Sequence, residues 1–263
     1  MTRKGSQVQV LYRPPKVRSS GLFSFVVVRT RIGIERSGIK ETDNVIVAGA
    51  DVWKGKWAVV ILNDGHFSRG FVATTFAEVV ENLNDVSIIG VDIPIGLPMG
   101  ADRRVSDVEA RAFVGSRRSS VFFTPSAELL DCASAAEANG LARRLNIPGI
   151  SAQTFALKKQ ILTVQPFAER DDRIYEVHPE VSFREACGNE LRWSKSSWNG
   201  QMVRRSILAE KGIVLPQVLP ELGGADPSDI LDASIVAWSA SRIANNSSER
   251  FPADGSRLAS IWR

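Results

Sequence analysis

Two aspartates close otherwise apolar runs in this sequence. Asp51 follows NVIVAGA (residues 44–50) and Asp92 follows VSIIGV (residues 86–91). A carboxylate without a partner at the end of a buried strand is costly. Later, Asp226, Asp229 and Asp232 recur every third residue, and helical spacing makes Asp229 and Asp232 neighbours on one face. Like charges placed so close repel unless something positive lies between them. A hard divalent cation, Mg²⁺ or Mn²⁺, bound by carboxylate oxygens and water, would meet that need. Two such ions about 4 Å apart can activate a water and stabilise the leaving oxygen in phosphodiester hydrolysis. Asp51, Asp92, Asp229 and Asp232 are therefore the candidate metal ligands and catalytic residues. Each has a plainer reading as well: Asp51 could accept N–H groups in a turn, and Asp226 and Asp229 could cap a helix and favour its dipole. Asp232 resists that reading, because it lies inside the helix beside Leu231, Ala233 and Ile235.

Glu176 and Glu180 flank His178 and could complete the acidic cluster, with Glu176 a further candidate catalytic acid. His178 could serve as a general base, but a single His before a proline reads better as structural. Basic residues punctuate the connecting segments: Arg103, Arg104 and Arg111, Arg117-Arg118-Ser119-Ser120, and later Lys158, Lys159, Lys195 and Arg204. Arg117, Arg118, Ser119 and Lys195 are the candidate substrate-binding residues, able to hold phosphate oxygens. The Arg117-Arg118 pair stands out because it abuts the apolar Val121-Phe122-Phe123. Other chemistries are excluded. Gly49 to Lys56 has the wrong spacing for a phosphate loop, and Trp57 stands where Ser or Thr is required. There is no Gly-x-Ser-x-Gly elbow and no Cys-x-x-Cys. Two cysteines and two histidines provide neither a disulfide framework nor a zinc set.

The elements that must position these residues can be read from periodicity. Asn44–Ala50 reads as a strand ending at Asp51, Trp57–Leu62 as a second, and Asn63-Asp64-Gly65 as a hairpin turn into a third over His66–Ala73. Thr74 and Thr75 can cap a helix running to about Leu83, and Val86–Val91 is a fourth strand ending at Asp92. Three antiparallel strands, then a crossover helix and a fourth strand parallel to the first, bring the carboxyl ends of strands one and four together. The spacing predicts helices over Ser106–Phe113, Ser126–Leu145, Ala152–Val164 and Gln201–Lys211, and a short fifth strand over Arg173–Val177. A last helix begins near Pro227, with Asp226 as its N-cap, and runs from Ser228 to Ala244.

The chain has 263 residues, 44% of them hydrophobic, enough for a packed core. Its net charge of +4 is unevenly distributed. Residues 1–42 hold nine of the 33 basic residues and two of the 29 acids, leaving 24 basic and 27 acidic groups beyond them. The basic character belongs to the leader, which could grip phosphates but reads as a poorly ordered extension ahead of a domain over 43–263. No apolar run approaches the roughly 20 residues that span a bilayer, so no membrane partner is expected and a cytoplasmic protein is.

The motifs also carry a family likeness. Gly49-Ala50-Asp51 with Gly55-Lys56-Trp57, then Val91-Asp92-Ile93-Pro94-Ile95-Gly96-Leu97-Pro98, resemble domain-of-unknown-function family 429, whose members are predicted to be RNase H-like nucleases. The likeness continues through Arg103–Arg111, Arg118–Phe122, Ser151–Gln153, Tyr175–Glu180, Ser194-Lys195 and Gly200 to Asp229–Ala233, and departs only mildly where Ala50 and Val52 flank Asp51. It implies an RNase H-like α/β fold, a mixed five-stranded sheet flanked by helices with a helical insertion, and metal ligands at Asp51, Asp92 and the Asp229/Asp232 pair. That pair's place on the final helix is similar to the Holliday-junction resolvases.

Three functions compete. The first is a metal-dependent nuclease hydrolysing nucleic acid. The second is a module that binds nucleic acid or another ligand without turnover, which the slight negative charge of the domain favours. The third is hydrolysis or transfer of phosphate on a small molecule, although related phosphotransferases repeat their core and this chain has one copy.

Overall fold

The computed structural model describes residues 44–263. The expected extension over 1–42 lies outside the described residues. The first three strands are β1 (Ile46–Trp53), β2 (Lys56–Asn63) and β3 (His66–Ala73). Both connecting turns hold two consecutive residues with positive φ, Lys54-Gly55 and Asp64-Gly65. That is the backbone of the tight hairpin turn whose twist matches the strands. Helix α1 (Phe76–Glu81) starts at Thr75, whose hydroxyl accepts from the Glu78 N–H, and the Glu78 carboxylate reaches back to the Thr74 N–H. Strand β4 (Ile88–Val91) follows.

A helical segment then separates β4 from β5: α2 (Val105–Phe113), a 3₁₀ segment at Gly115–Ser120, α3 (Ala127–Leu130), α4 (Ala135–Leu145), α5 (Ala152–Ala156) and α6 (Lys158–Arg170). The single helix expected over 126–145 is two. Ser134 accepts from the Glu137 N–H while the Glu137 carboxylate takes the Ala133 N–H, so a reciprocal cap restarts the chain at α4. The helix expected over 152–164 also breaks, at Leu157, and its second part runs on through Pro166. Strand β5 (Ile174–Glu176) leads to α7 (Pro179–Cys187), α8 (Trp198–Glu210) and α9 (Pro227–Ala244). Two short strands, β6 (Arg250–Phe251) and β7 (Ile261–Trp262), close the chain.

The main sheet has the order β3-β2-β1-β4-β5, antiparallel across its first three strands and parallel from β1 through β4 to β5. Strand alternation divides the core. Ala48, Ala50, Val59, Ile61, Ile89 and Val91 pack towards α1 and α6. Val47, Ala58, Val60 and Leu62 pack towards α7, α8 and α9. With both faces covered, the central strands are apolar almost throughout, which makes Asp51 conspicuous. No helix among the described residues is long and apolar enough to cross a membrane.

Candidate functional site

Register sets the first two acids side by side. Ala50 pairs with Val91 across the parallel β1–β4 ladder, and the Asp92 N–H donates to the Ala50 carbonyl at 3.0 Å. Asp51 and Asp92 are the next residues on each strand. Each lies two positions after a glycine, Gly49 and Gly90, so each points to the same face as its glycine. Helix α9 crosses that face in direct contact with the backbone. A Cβ on Gly49 would meet the Ala233 carbonyl at 2.2 Å, and one on Gly90 would meet Val236 Cγ1 at 2.8 Å. The glycines thus let α9 descend onto the sheet, and the residue preceding Ala233 is Asp232. Close helix–sheet packing delivers the third acid to the first two.

Asp51 and Asp232 are buried, at 6% and 1% exposure, and Asp92 is half-buried. All three line one cavity of about 500 Å³ with Lys195, Arg117 and Glu180. Burial, then the charges of Asp92 and Asp232, hold Asp51 well above the usual carboxylate range. Asp92 is also raised by burial, which outweighs the lowering influence of cationic neighbours such as Lys195. Asp232 is pushed up to about 6 by burial, although Lys195 Nζ lies only 2.5 Å from its Oδ2. Lys195 is held protonated above its ordinary range: burial works against its charge, but Asp232 first, then Asp51 and Asp92, outweigh that cost.

The loop that aims Lys195 is tightly braced. Ser197 donates from its N–H and its hydroxyl to the Ser194 carbonyl, then caps α8 by accepting from the Gly200 N–H. Gly200 carries no Cβ because one would lie 1.7 Å from the Ser194 oxygen. Arg204, 1% exposed, donates to the Trp193 carbonyl and, at 2.5 Å, to Glu180. Glu180 is buried, receives Arg117 at 3.4 Å on that same oxygen, and leaves Oε2 without a protein partner.

Other expected site residues fall elsewhere. Asp229 is half-buried, raised by burial, and does not line the cavity. Asp226 is the N-cap of α9 by position, yet its side chain makes no capping bond and faces Lys54 at 3.7 Å on the surface. Glu176 does not line the cavity either. Arg104 grips it at 2.6 and 2.8 Å, and the Ile95 N–H donates to it at 2.6 Å. Arg104 also holds Asp107 at 2.6 Å, so Glu176 belongs to a buried ion cluster beneath the site. His178 caps α7: its Nδ1 accepts from the Glu180 N–H and its Nε2 meets the Ser120 carbonyl, which engages both nitrogens. Of the phosphate candidates, Arg117, Ser119 and Lys195 line the cavity, whereas Arg118 is exposed outside it.

Among the described residues, no three acidic, His or Cys side chains already converge in the geometry of a formed metal site. The donor chemistry nonetheless fits a hard dication. Asp51 and Asp92 present adjacent carboxyls held up by burial, Asp51 also by the charge of Asp92, and Glu180 keeps a buried oxygen unpaired beside them. Magnesium in particular is held through one or two carboxylates with water completing its shell.

Helix α7 and the pairing of Glu180 with Arg204 were not legible, although each of the two residues was a candidate singly. The signal was present in His178-Pro179-Glu180: a polar N-cap, proline at the first helical position and an acid after it. The paired Gly-x-Asp of β1 and β4 was a second unread signal. No curated protein and no solved structure matches the chain. Residues 49–257, most of its length, match the family model described as "Protein of unknown function (DUF429)", and the chain belongs to that family.

Proposed function

We propose that this protein is an RNase H-like, divalent-metal-dependent phosphodiesterase acting on nucleic acid. One observation carries the reading: three carboxylates from two adjacent parallel strands and the last long helix share a cavity with cationic side chains. The sheet order, with three antiparallel strands followed by parallel ones, supports the RNase H-like assignment. So does the placing of Asp51 in the last part of β1, which runs on to Trp53 rather than ending at the acid, and of Asp92 just past β4. In this reading Asp51 and Asp92 hold Mg²⁺ or Mn²⁺, with Asp232 and Glu180 beside them and Asp229 further out. When bound, the cation supplies charge neutralisation and Lewis acidity at the phosphate.

The chain's own residues do the rest. Lys195 and Arg117 offer N–H donors and positive charge to the non-bridging phosphate oxygens. Glu180 holds Arg117, and Arg204 holds both Glu180 and the Lys195 loop, so the cationic side is fixed relative to the acids. Ser119 provides a further hydroxyl at the rim. In ionised form the Asp51 and Asp92 carboxylates would hold the cation and could orient water by accepting its hydrogens.

A second reading has its own observation. Lys195 already neutralises Asp232, so the pocket tolerates its acids without metal and could bind a ligand without turnover. The deciding experiment measures cleavage of labelled single-stranded, duplex, hybrid and branched substrates with Mg²⁺ and with Mn²⁺. Melting of the wild type, Asp51→Asn and Asp92→Asn is followed in parallel. Cleavage lost in both variants is expected. No cleavage together with no cation-induced rise in Tm would remove the hydrolytic reading.

A further inference from the structure

The carboxylate pocket continues beyond its acids. A second cavity of about 520 Å³ adjoins it, and Ser119, Ser120, Phe122, Gln153 and Leu157 line both. Two aromatic rings line the second cavity, Phe122 at its junction with the first and Phe123 beyond it, and they differ. Phe123 is engaged already, with the guanidinium carbons of Arg103 and Arg111 at 3.7 and 4.4 Å from its centre. Phe122 is half-buried, and none of the ring–ring or cation–ring pairs among the described residues includes it. Its position on the shared rim suits stacking against a planar group. Gln153, exposed on the same rim, offers an amide that can both donate and accept.

The acids themselves are recessed. A duplex carries its phosphates on the outside and its bases stacked within, so it cannot place a phosphate at Asp51 and a neighbouring base on Phe122 together. A site that must also take a base out of the stack needs a single strand or an extruded nucleotide.

Building on the hydrolytic reading, we propose that the substrate is an unpaired nucleic-acid strand. Its phosphate enters the carboxylate pocket, and the adjoining base stacks on Phe122 in the second cavity with Gln153 at the base edge. Base–aromatic stacking tolerates any sequence, so the preference is for unpaired structure rather than for a particular base.

The test measures binding of a fluorescein-labelled ten-residue phosphorothioate single strand, and of its duplex, to the full chain in Mg²⁺. The single strand is expected to bind at least tenfold more tightly. Phe122→Leu keeps apolar volume but loses the ring, and should weaken single-strand binding about tenfold, or about 1.4 kcal/mol. Phe122→Tyr should retain it. Gln153→Ala, at an exposed position, should weaken it several-fold and serves even if Phe122→Leu misfolds, which melting would reveal. Equal binding of duplex and single strand, binding of neither, or wild-type affinity in both Phe122→Leu and Gln153→Ala overturns the proposal. Tight single-strand binding without hydrolysis of any substrate removes the hydrolytic reading alone. Equal hydrolysis of duplex and single strand removes this inference alone.

Discussion

Lys195 Nζ lies 2.5 Å from Asp232 Oδ2, so the acidic pocket carries its own counter-charge. The sequence suggested that crowded aspartates need a bound cation to be tolerated. The structure meets part of that need with a lysine from a braced loop, and burial that raises Asp51 and Asp92 favours their neutral forms.

Removing the lysine should therefore weaken the metal-free protein while sharpening its response to metal. A fully buried ion pair broken on one side costs roughly 3–5 kcal/mol. The Lys195 side chain is 44% exposed, so solvent screens the pair, and Lys195→Met should cost only about 1–2 kcal/mol in a chelator. The Tm increase produced by Mg²⁺ or Mn²⁺ should be larger in the variant than in the wild type. An unchanged increase would mean that Lys195 and the cation do not compete for the same acids.

Asp232, raised to about 6, gives the pocket a pH signature. An acid raised by folding binds its proton more tightly in the native chain than in the unfolded one, where aspartate titrates near ~3.9. Its contribution to stability is full below about pH 4 and is lost as pH climbs through about 6. Asp51 and Asp92 shift in the same direction. Asp232→Asn cannot titrate, so the wild-type Tm should fall relative to the variant between pH 4 and 7. Metal binding needs the acids ionised, and the cation-induced Tm rise should grow over the same range. Parallel pH profiles for the two proteins would contradict the upward shift.

Gly49→Ala should separate α9 from β1. The added methyl would lie 2.2 Å from the Ala233 carbonyl and 2.3 Å from the Ala237 nitrogen, both backbone atoms with little room to move. Overpacking of this kind costs about 1–3 kcal/mol or more. Because Asp232 precedes Ala233, the displacement also carries the third acid away from the other two. The variant should melt lower and, even where folded, lose cation-induced stabilisation. Unaltered cation response in a folded Gly49→Ala protein would show that α9 packing does not set the site.

The strands and the paired acids were legible because their signals are local. Apolar runs ending at Asp51 and Asp92, the hairpin turn at Asp64-Gly65, and Pro227 opening the last helix are short-range features of the chain. The order of the first four strands followed from them by connection rules, while the place of β5 beside β4 came only with the family likeness. What could not be read was which charge meets which. Glu176 and Glu180 sit four residues apart with similar neighbours, yet one meets Arg104 beneath the sheet end and the other meets Arg204 and Arg117 beside the acids. The partners of Glu176 and Glu180 lie 24 to 72 residues away in sequence, and only tertiary packing selects them. Lys195 was flagged as a phosphate contact, but its pairing with Asp232 depends on the Ser194–Ser197 turn and on Arg204, which no spacing rule reveals.

That difference between buried acids yields the last prediction. Arg104 binds Glu176 through two N–H donors and also binds Asp107, while the Thr124 N–H donates to Asp107. Glu176→Gln leaves Arg104 facing an amide in a dry setting and should cost about 3–4 kcal/mol, the lower part of the range for breaking buried pairs because Asp107 still holds Arg104. Asp92→Asn, by contrast, removes a carboxyl that burial already penalises, so its stability should match or exceed that of the wild type. The cation response should show the reverse pattern, retained in Glu176→Gln and lost in Asp92→Asn. Melting both variants with and without Mn²⁺ separates the roles. Loss of the cation response in a folded Glu176→Gln protein would return Glu176 to the site, and a large destabilisation by Asp92→Asn would mean that its carboxyl supports the fold rather than a ligand.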